Sequence, residues 1–152
     1  MKALKTEIKI DAAPSLVWEV LMDFENYFKW NPFVISIKGR AEVGTYLENK
    51  LQMSEKKTMD FKPEVLVVEA NKEFRWKGKM FVNGLFDGEY CFLLEKMDDG
   101  NTQLIHGENF TGLFGDVIFK MIMEDTLKGF EGMNKALKAH VESRGKERSN
   151  VA

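Results

Sequence analysis

The sequence predicts an α+β domain in which a curved antiparallel sheet of about seven strands wraps around one long C-terminal helix, with two short helices after the first strand. Three observations carry this prediction. The last quarter of the chain repeats apolar residues at three- and four-residue steps, the period of a helix with one buried stripe. From Phe33 to Thr111 the pattern switches to period two, the mark of strands with one wet face. A helical pattern that begins at Pro14 separates the first strand from the rest, and proline is favourable at a first helical position.

The elements follow in order. Leu4, Thr6, Ile8 and Ile10 alternate with Lys5, Glu7 and Lys9, a half-buried strand. Pro14 starts a helix whose Val17, Trp18, Leu21 and Met22 form its apolar side. A short helix or turn from Phe24 to Trp30 stops before Asn31-Pro32, because a residue preceding proline avoids the α region. Strands are predicted at about 33–39, 45–53, 57–70, 73–80, 86–96 and 102–111, with turns at Gly39 to Gly44, Ser54-Glu55, Asn71-Lys72, Asn83-Gly84 and Asp98 to Asn101. Pro63 cannot donate a ladder hydrogen bond, so a bulge or break is expected there. Asp116 reads as the N-cap of a helix running to about Glu142. Phe119, Met123, Leu127, Phe130, Met133, Leu137 and Val141 form its stripe, and His140 falls near its end, where a cation suits the helix dipole.

The alternation also assigns faces. Phe74, Trp76, Gly78 and Met80 share one side of their strand, and Phe86, Gly88, Tyr90, Phe92 and Leu94 share one side of the next. Leu47, Asn49, Leu51 and Met53 do the same earlier in the chain. Every strand therefore turns one apolar face, rich in aromatics and methionine, toward a common interior. An antiparallel sheet with one solvated face needs a cover on the other, and the terminal helix supplies it.

The chain has 152 residues, 44% hydrophobic and 30% charged, which suits one globular domain over residues 1–143 and a polar, aperiodic tail at 144–152 expected to be disordered. A net charge of −2 with scattered lysines lacks the basic footprint of nucleic-acid binding. The single cysteine, Cys91, permits no internal disulfide and fits a reducing, cytoplasmic setting. The opening MKALKTEIKI is neither a signal peptide nor an anchor, and the apolar run from Gly112 to Met123 is interrupted by Asp116 and Lys120. No stable membrane insertion is expected, and the protein is expected to be a monomer or homodimer.

This order of elements resembles the START-like (SRPBCC) superfamily, whose helix-grip fold folds a curved sheet around a C-terminal helix. Ile10 to Pro14 followed by Val17-Trp18 is similar to the family's opening strand and helix, and Phe24 through Phe33 to its helix-to-strand corner. Leu104 to Gly112 resembles its last strand, and Gly129-Phe130 with Met133, Asn134 and Leu137 its closing helix. The nearest likeness is to the polyketide cyclase/dehydrase branch. The resemblance implies an apolar cavity between sheet and helix that holds a small hydrophobic or aromatic ligand. It does not choose among carriers, cyclases and other binders.

The informative polar residues lie on the last strand, where Leu104, His106, Glu108 and Phe110 share parity and so point inward. A buried carboxylate needs a partner or a raised pKa. Glu108 is accordingly either an acid/base or ligand-binding group, with His106 beside it, or a structural residue bonded to buried donors such as Asn31. His106 is either at the cavity wall or a satisfied core histidine. A ligand would meet Asn49, Met59 and Phe61 from the earlier strands, Trp76, Tyr90, Phe92 and Phe110 from the later ones, and Phe119, Met123 and Phe130 from the helix, with Trp30 at the corner. Plain core packing is the alternative for most of these aromatics. No cofactor and no metal site is expected, since His106 and Glu108 lack further inward ligands.

Gly129 and Gly132 each weaken a helix by about 1 kcal/mol against alanine, which predicts close approach to the sheet or room for a ligand. Phe114, Ile118, Phe119, Ile122 and Met123 make the start of the long helix apolar on several sides, so that end is deeply buried, a lid over the cavity mouth or a dimer contact, the lid being favoured. Three functions stay open: a binder of a small hydrophobic ligand, a cyclase- or dehydratase-type enzyme using Glu108 and His106, and a protein–protein adaptor without a working cavity.

Overall fold

The computed structural model describes residues 2–79, 87–111 and 116–151. Strand β1 (Lys2–Ile10) leads into α1 (Pro14–Met22), a single 3-10 turn (Phe24–Asn26) and the short α2 (Tyr27–Trp30). Seven further strands follow, β2 (Val34–Lys38), β3 (Glu48–Ser54), β4 (Lys57–Phe61), β5 (Glu64–Glu69), β6 (Glu73–Lys79), β7 (Asp87–Lys96) and β8 (Thr102–Thr111), before α3 (Asp116–Val151). This is the helix grip that the family resemblance implies, built from the elements the periodicity predicts.

The strands form two antiparallel sheets, one ordered β1-β8-β7-β6-β5 and the other β2-β3-β4. Pro63 explains the division. The predicted strand over 57–70 breaks into β4 and β5 around it, and the two halves join different sheets. Proline removes a ladder donor, and its own carbonyl instead accepts from the Leu47 N–H at 2.9 Å. A bridge between Tyr46 and Glu64 and the Val65 N–H to Thr45 carbonyl bond (2.9 Å) complete the stitch between the sheets. At the other edge, Gly107 lets β1 approach closely, because a Cβ there would stand 2.8 Å from the Leu4 carbonyl oxygen.

Burial follows the predicted faces. Phe74, Trp76, Tyr90, Phe92 and Leu104 are buried on the inner face of the larger sheet, and Leu47 and Leu51 on that of the smaller. Phe130, Met133, Leu137 and Val141 of α3 are wholly buried against them, while Met123 and Leu127 pack at the edge of the core. Gly129 shows why glycine is needed on this helix: a Cβ there would overlap the ring of Phe33. At Gly132 the nearest atom to such a Cβ is Pro32 Cγ, at 3.9 Å, so that glycine admits nothing closer than ordinary contact.

Two expectations change at the C-terminus. The helix does not give way to a disordered tail at residue 144 but continues to Val151. Arg144 and Arg148 bond the Glu19 carboxylate of α1 at 3.2 and 2.6 Å, which ties down a segment that has no apolar stripe of its own. His140 is consequently well inside the helix. Its ring stacks on Trp30 (centroids 5.9 Å apart), and burial lowers its pKa, so it is no dipole-stabilised cation. Asp116 is the first helical residue rather than the residue before the helix. The predicted Asn83-Gly84 turn, Met80, Phe86 and the Gly112 to Gly115 segment lie outside the described residues.

Candidate functional site

The inner face of β8 places Glu108 between the two sheets. It is 8% exposed, and among the described residues its carboxyl has no hydrogen-bond or ionic partner. Burial alone pushes its pKa up from 4.5 to about 8. At neutral pH the group is therefore a neutral carboxylic acid, able to donate one hydrogen bond and accept others. The space it occupies exists because of Gly88, its diagonal neighbour on β7, where a Cβ would overlap the carboxyl oxygen.

Two residues back along the same face, His106 is fully buried and belongs to a different arrangement. Asn134 of α3 donates from Nδ2 to the Thr6 hydroxyl (2.8 Å), and that hydroxyl donates to the His106 carbonyl (2.8 Å). Asn134 Oδ1 then faces His106 Nδ1 at 2.8 Å as an acceptor, so Nδ1 carries the proton. The bare Nε2 accepts the Tyr90 hydroxyl. The ring is further clamped between Phe92 and Phe130, with centroids 4.6 and 4.0 Å away. Desolvation holds its pKa down at about 3, so it stays neutral. His106 is thus a satisfied core histidine that bolts α3 to β8 and β1, and it fixes the phenol of Tyr90, whose proton is already committed. The Met133 sulfur, 3.8 Å from that hydroxyl, is a weak secondary contact.

Glu108 and Tyr90 form one side of a narrow cavity whose other walls are Phe33, Leu51, Met53 and Phe61, with Gly78 and Gly88 in its floor and Thr126 of α3 above. The enclosed volume open to a water-sized sphere is about 10 Å³, room for roughly one water molecule. Of the expected deep cavity, the described residues show this narrow slot, lined largely by aromatic and aliphatic side chains.

Of the predicted ligand-binding residues, the structure brings Phe61, Tyr90 and Glu108 together at this slot. Trp76 and Phe92 are core residues behind Tyr90, Trp76 stacking on it at 4.5 Å. Phe130 packs edge-on against Tyr90 (5.1 Å), Phe110 is buried on the Glu108 face, and Met59 and Met123 lie partly buried at the margin of the core. Trp30 sits away from the slot, between Tyr27 and His140. The side chain of Phe119, and with it most of the expected lid, lies outside the described residues. Asn49 is 3% exposed on the Leu51 face, and among the described residues both its amide nitrogen and its oxygen lack partners.

Sequence reasoning missed Phe33, Leu51, Met53, Gly78, Gly88 and Thr126 as lining residues. The alternation did mark Gly78 and Gly88 as inward, and two inward glycines on neighbouring strands are the available signal. Among the described residues, no three potential metal ligands come together.

A long helix gripped by an antiparallel sheet, enclosing an apolar slot with one carboxyl, defines a START-like protein. The chain belongs to the polyketide cyclase/dehydrase and lipid transport family, whose model matches residues 1–142. Among solved structures it is similar to the ZhuI aromatase/cyclase from Streptomyces sp. R1128, at 14% identity and a TM-score of 0.74 over 94% of each chain. A START superfamily protein from Mycobacterium smegmatis matches at 18% identity and a TM-score of 0.71, over 93% of this chain and 97% of that one. A protein from Mesorhizobium loti matches at 18% identity and 0.73, over 94% and 98%. At these identities the likeness is one of fold. No curated protein matches the sequence.

Proposed function

We propose that this protein binds a small, neutral hydrophobic or aromatic ligand between the β2–β4 sheet and the larger sheet, beneath α3, with the Glu108 carboxyl as its polar anchor. The observation that carries this reading is the Glu108 carboxyl, buried in a mostly apolar wall and without a hydrogen-bond or ionic partner among the described residues. Leaving a buried polar group unpaired costs about 1–3 kcal/mol, which a ligand hydroxyl or carbonyl would recover on binding. The family description, polyketide cyclase/dehydrase and lipid transport, is consistent with such a ligand. The one half-buried thiol, Cys91, suits a reducing, cytoplasmic setting.

A second reading makes the same carboxyl an acid/base in a cyclase- or dehydratase-type enzyme. It draws on the pKa of about 8, close to the value a general acid or base needs at neutral pH. In that reading Glu108 acts without His106, both of whose ring nitrogens are occupied. Native mass spectrometry of protein purified from its own cells tests the binding function, the expected result being a co-purifying small molecule in one-to-one complex. Glu108→Gln then separates the readings. A binder keeps its affinity for that molecule within a small factor, whereas an enzyme keeps affinity and loses turnover. Protein that carries no small molecule and acquires none from a cell extract would overturn both.

A further inference from the structure

The floor of the slot contains a pair of glycines in register, Gly78 on β6 opposite Gly88 on β7. Such a pair weakens a sheet, because neither residue contributes a packed side chain and both lose more backbone entropy than other residues on folding. What fills the space over each glycine is therefore informative. Over Gly88 lies the Glu108 carboxyl. Over Gly78 lies the ring of Phe61, whose Cδ2 and Cε2 would stand 3.1 and 3.3 Å from a Cβ built there. A phenyl ring and a carboxyl group thus sit side by side on a bare strip of sheet, the ring supplied by one sheet and the carboxyl by the other.

Phe61 is poorly suited to be a permanent occupant. It is the last residue of β4, two before Pro63, and among the described residues β4 pairs only with β3. Its side chain is only partly buried, so a change of rotamer toward solvent breaks no ladder bond. A phenyl ring also carries no polar atom, and it leaves the adjacent carboxyl unsatisfied. Tyr90 cannot supply the missing bond, since its proton goes to His106. A ring as flat as that of Phe61, bearing a hydroxyl, would cover Gly78 and give Glu108 its partner.

We propose that the Gly78–Gly88 pair is the seat for a flat, hydroxyl-bearing aromatic ring of the ligand, and that Phe61 fills this seat when the protein is empty. The inference rests on the binding function proposed above and specifies it: a phenol-class ligand, admitted by displacement of one side chain. An aromatic carboxylate is excluded from the seat, since among the described residues no cationic side chain lines the slot and the anion would lose its hydration without gaining a counter-charge. Phe61 then acts as an internal competitor that sets the threshold affinity.

The test uses 2-naphthol, naphthalene and 2-naphthoate in calorimetric titrations of the full chain, each variant first checked for cooperative unfolding. Phe61→Ala removes the competitor and is expected to tighten 2-naphthol binding by on the order of 10-fold or more, the factor by which an occupied seat reduces apparent affinity. Adding Gly78→Ala to Phe61→Ala places a methyl group in the vacated seat without a clash against the missing ring, and it is expected to abolish that gain. Naphthalene should bind Phe61→Ala about 10-fold more weakly than 2-naphthol, for want of the hydroxyl, and 2-naphthoate should not bind measurably.

An unchanged 2-naphthol affinity in Phe61→Ala, or an undiminished one in the double variant, would overturn the seat. If 2-naphthol in that case still bound in a one-to-one complex, the broader ligand-binding function would survive the loss. Equal affinities for naphthalene and 2-naphthol would overturn the phenol class. Failure of the wild type and Phe61→Ala alike to bind 2-naphthol or naphthalene, together with the absence of a co-purifying molecule, would remove the seat and the binding function together.

Discussion

Glu108→Gln perturbs the protein at its least conventional point, and the size of the effect can be worked from the structure. In the unfolded chain the carboxyl titrates near 4.5, whereas burial without a partner raises it to about 8 in the fold. Below pH 4.5 both states hold the proton, and the group's favourable contribution is fully present. Between 4.5 and about 8 the unfolded chain has released its proton and the folded one has not, so stability is lost as pH rises. A span of about 3.5 pH units at about 1.4 kcal/mol each amounts to about 5 kcal/mol. Glutamine keeps the shape and hydrogen-bonding ability without a titrating proton. Urea denaturation of wild type and variant at pH 4.5 and pH 8.5 isolates the term as a difference of differences. The two proteins should be nearly equal at pH 4.5, and Glu108→Gln should be more stable by up to about 5 kcal/mol at pH 8.5. Parallel pH profiles would refute the reasoning, for they would mean that the carboxylate is charged and compensated in the fold.

Three further predictions concern His106, the two glycines of α3 and Glu19. His106, held at a pKa of about 3 by desolvation, gives the opposite limb: stability is lost as pH falls from 6.5 toward 3, so wild-type stability should plateau between the two limbs, at pH 4.5 to 6.5, as read from denaturation midpoints. His106→Ala should remove the acid limb and destabilise by about 3–5 kcal/mol, since it opens a void and strands the Tyr90 hydroxyl and Asn134. The two helix glycines should separate in thermal melts, Gly132→Ala gaining about 1 kcal/mol from helix propensity. Gly129→Ala should lose about 1–3 kcal/mol, because its new methyl group overlaps the Phe33 ring. Glu19→Ala should fray the last turns of α3 with a global cost below about 1 kcal/mol, seen as faster amide exchange after Arg144, because both of its arginine pairs are on the surface.

The fold was legible because each of its main elements has a period of its own, and the core stripe of α3 from Phe130 to Val141 is the clearest instance. Pro63 was legible too, though only as a break. That the break assigns β4 and β5 to separate sheets depends on Thr45 to Leu47, eighteen residues earlier, docking their backbone beside Pro63 to Val65. Parity identified Glu108 and His106 as inward but could not separate their fates. His106 is kept neutral by burial and anchored by partners 100 residues before it and 28 after it in sequence, Thr6 at its carbonyl and Asn134 at its ring, whereas Glu108 meets none among the described residues. Asn134 was within reach of sequence reasoning, for it lies on the buried stripe between Phe130 and Leu137, where an amide demands a partner. The length of α3 was not, since its last turns have no apolar stripe and are held by Glu19.

The slot was less visible than its surroundings. Aromatic inward residues suggested a large cavity, and among the described residues the rings of Phe33, Phe61 and Tyr90 line a slot of about 10 Å³. Composition cannot say whether aromatic side chains line a cavity or occupy it. Register can, once Gly78 and Gly88 are seen to face each other beneath Phe61 and Glu108.

The measurement closest to the central claim is a carbon-13 NMR titration of the Glu108 side-chain carboxyl, assigned by its disappearance in Glu108→Gln. The account predicts a midpoint at about pH 8, displaced when 2-naphthol saturates the slot and hydrogen-bonds the carboxyl. A midpoint near 4.5, unmoved by the naphthol, would contradict it.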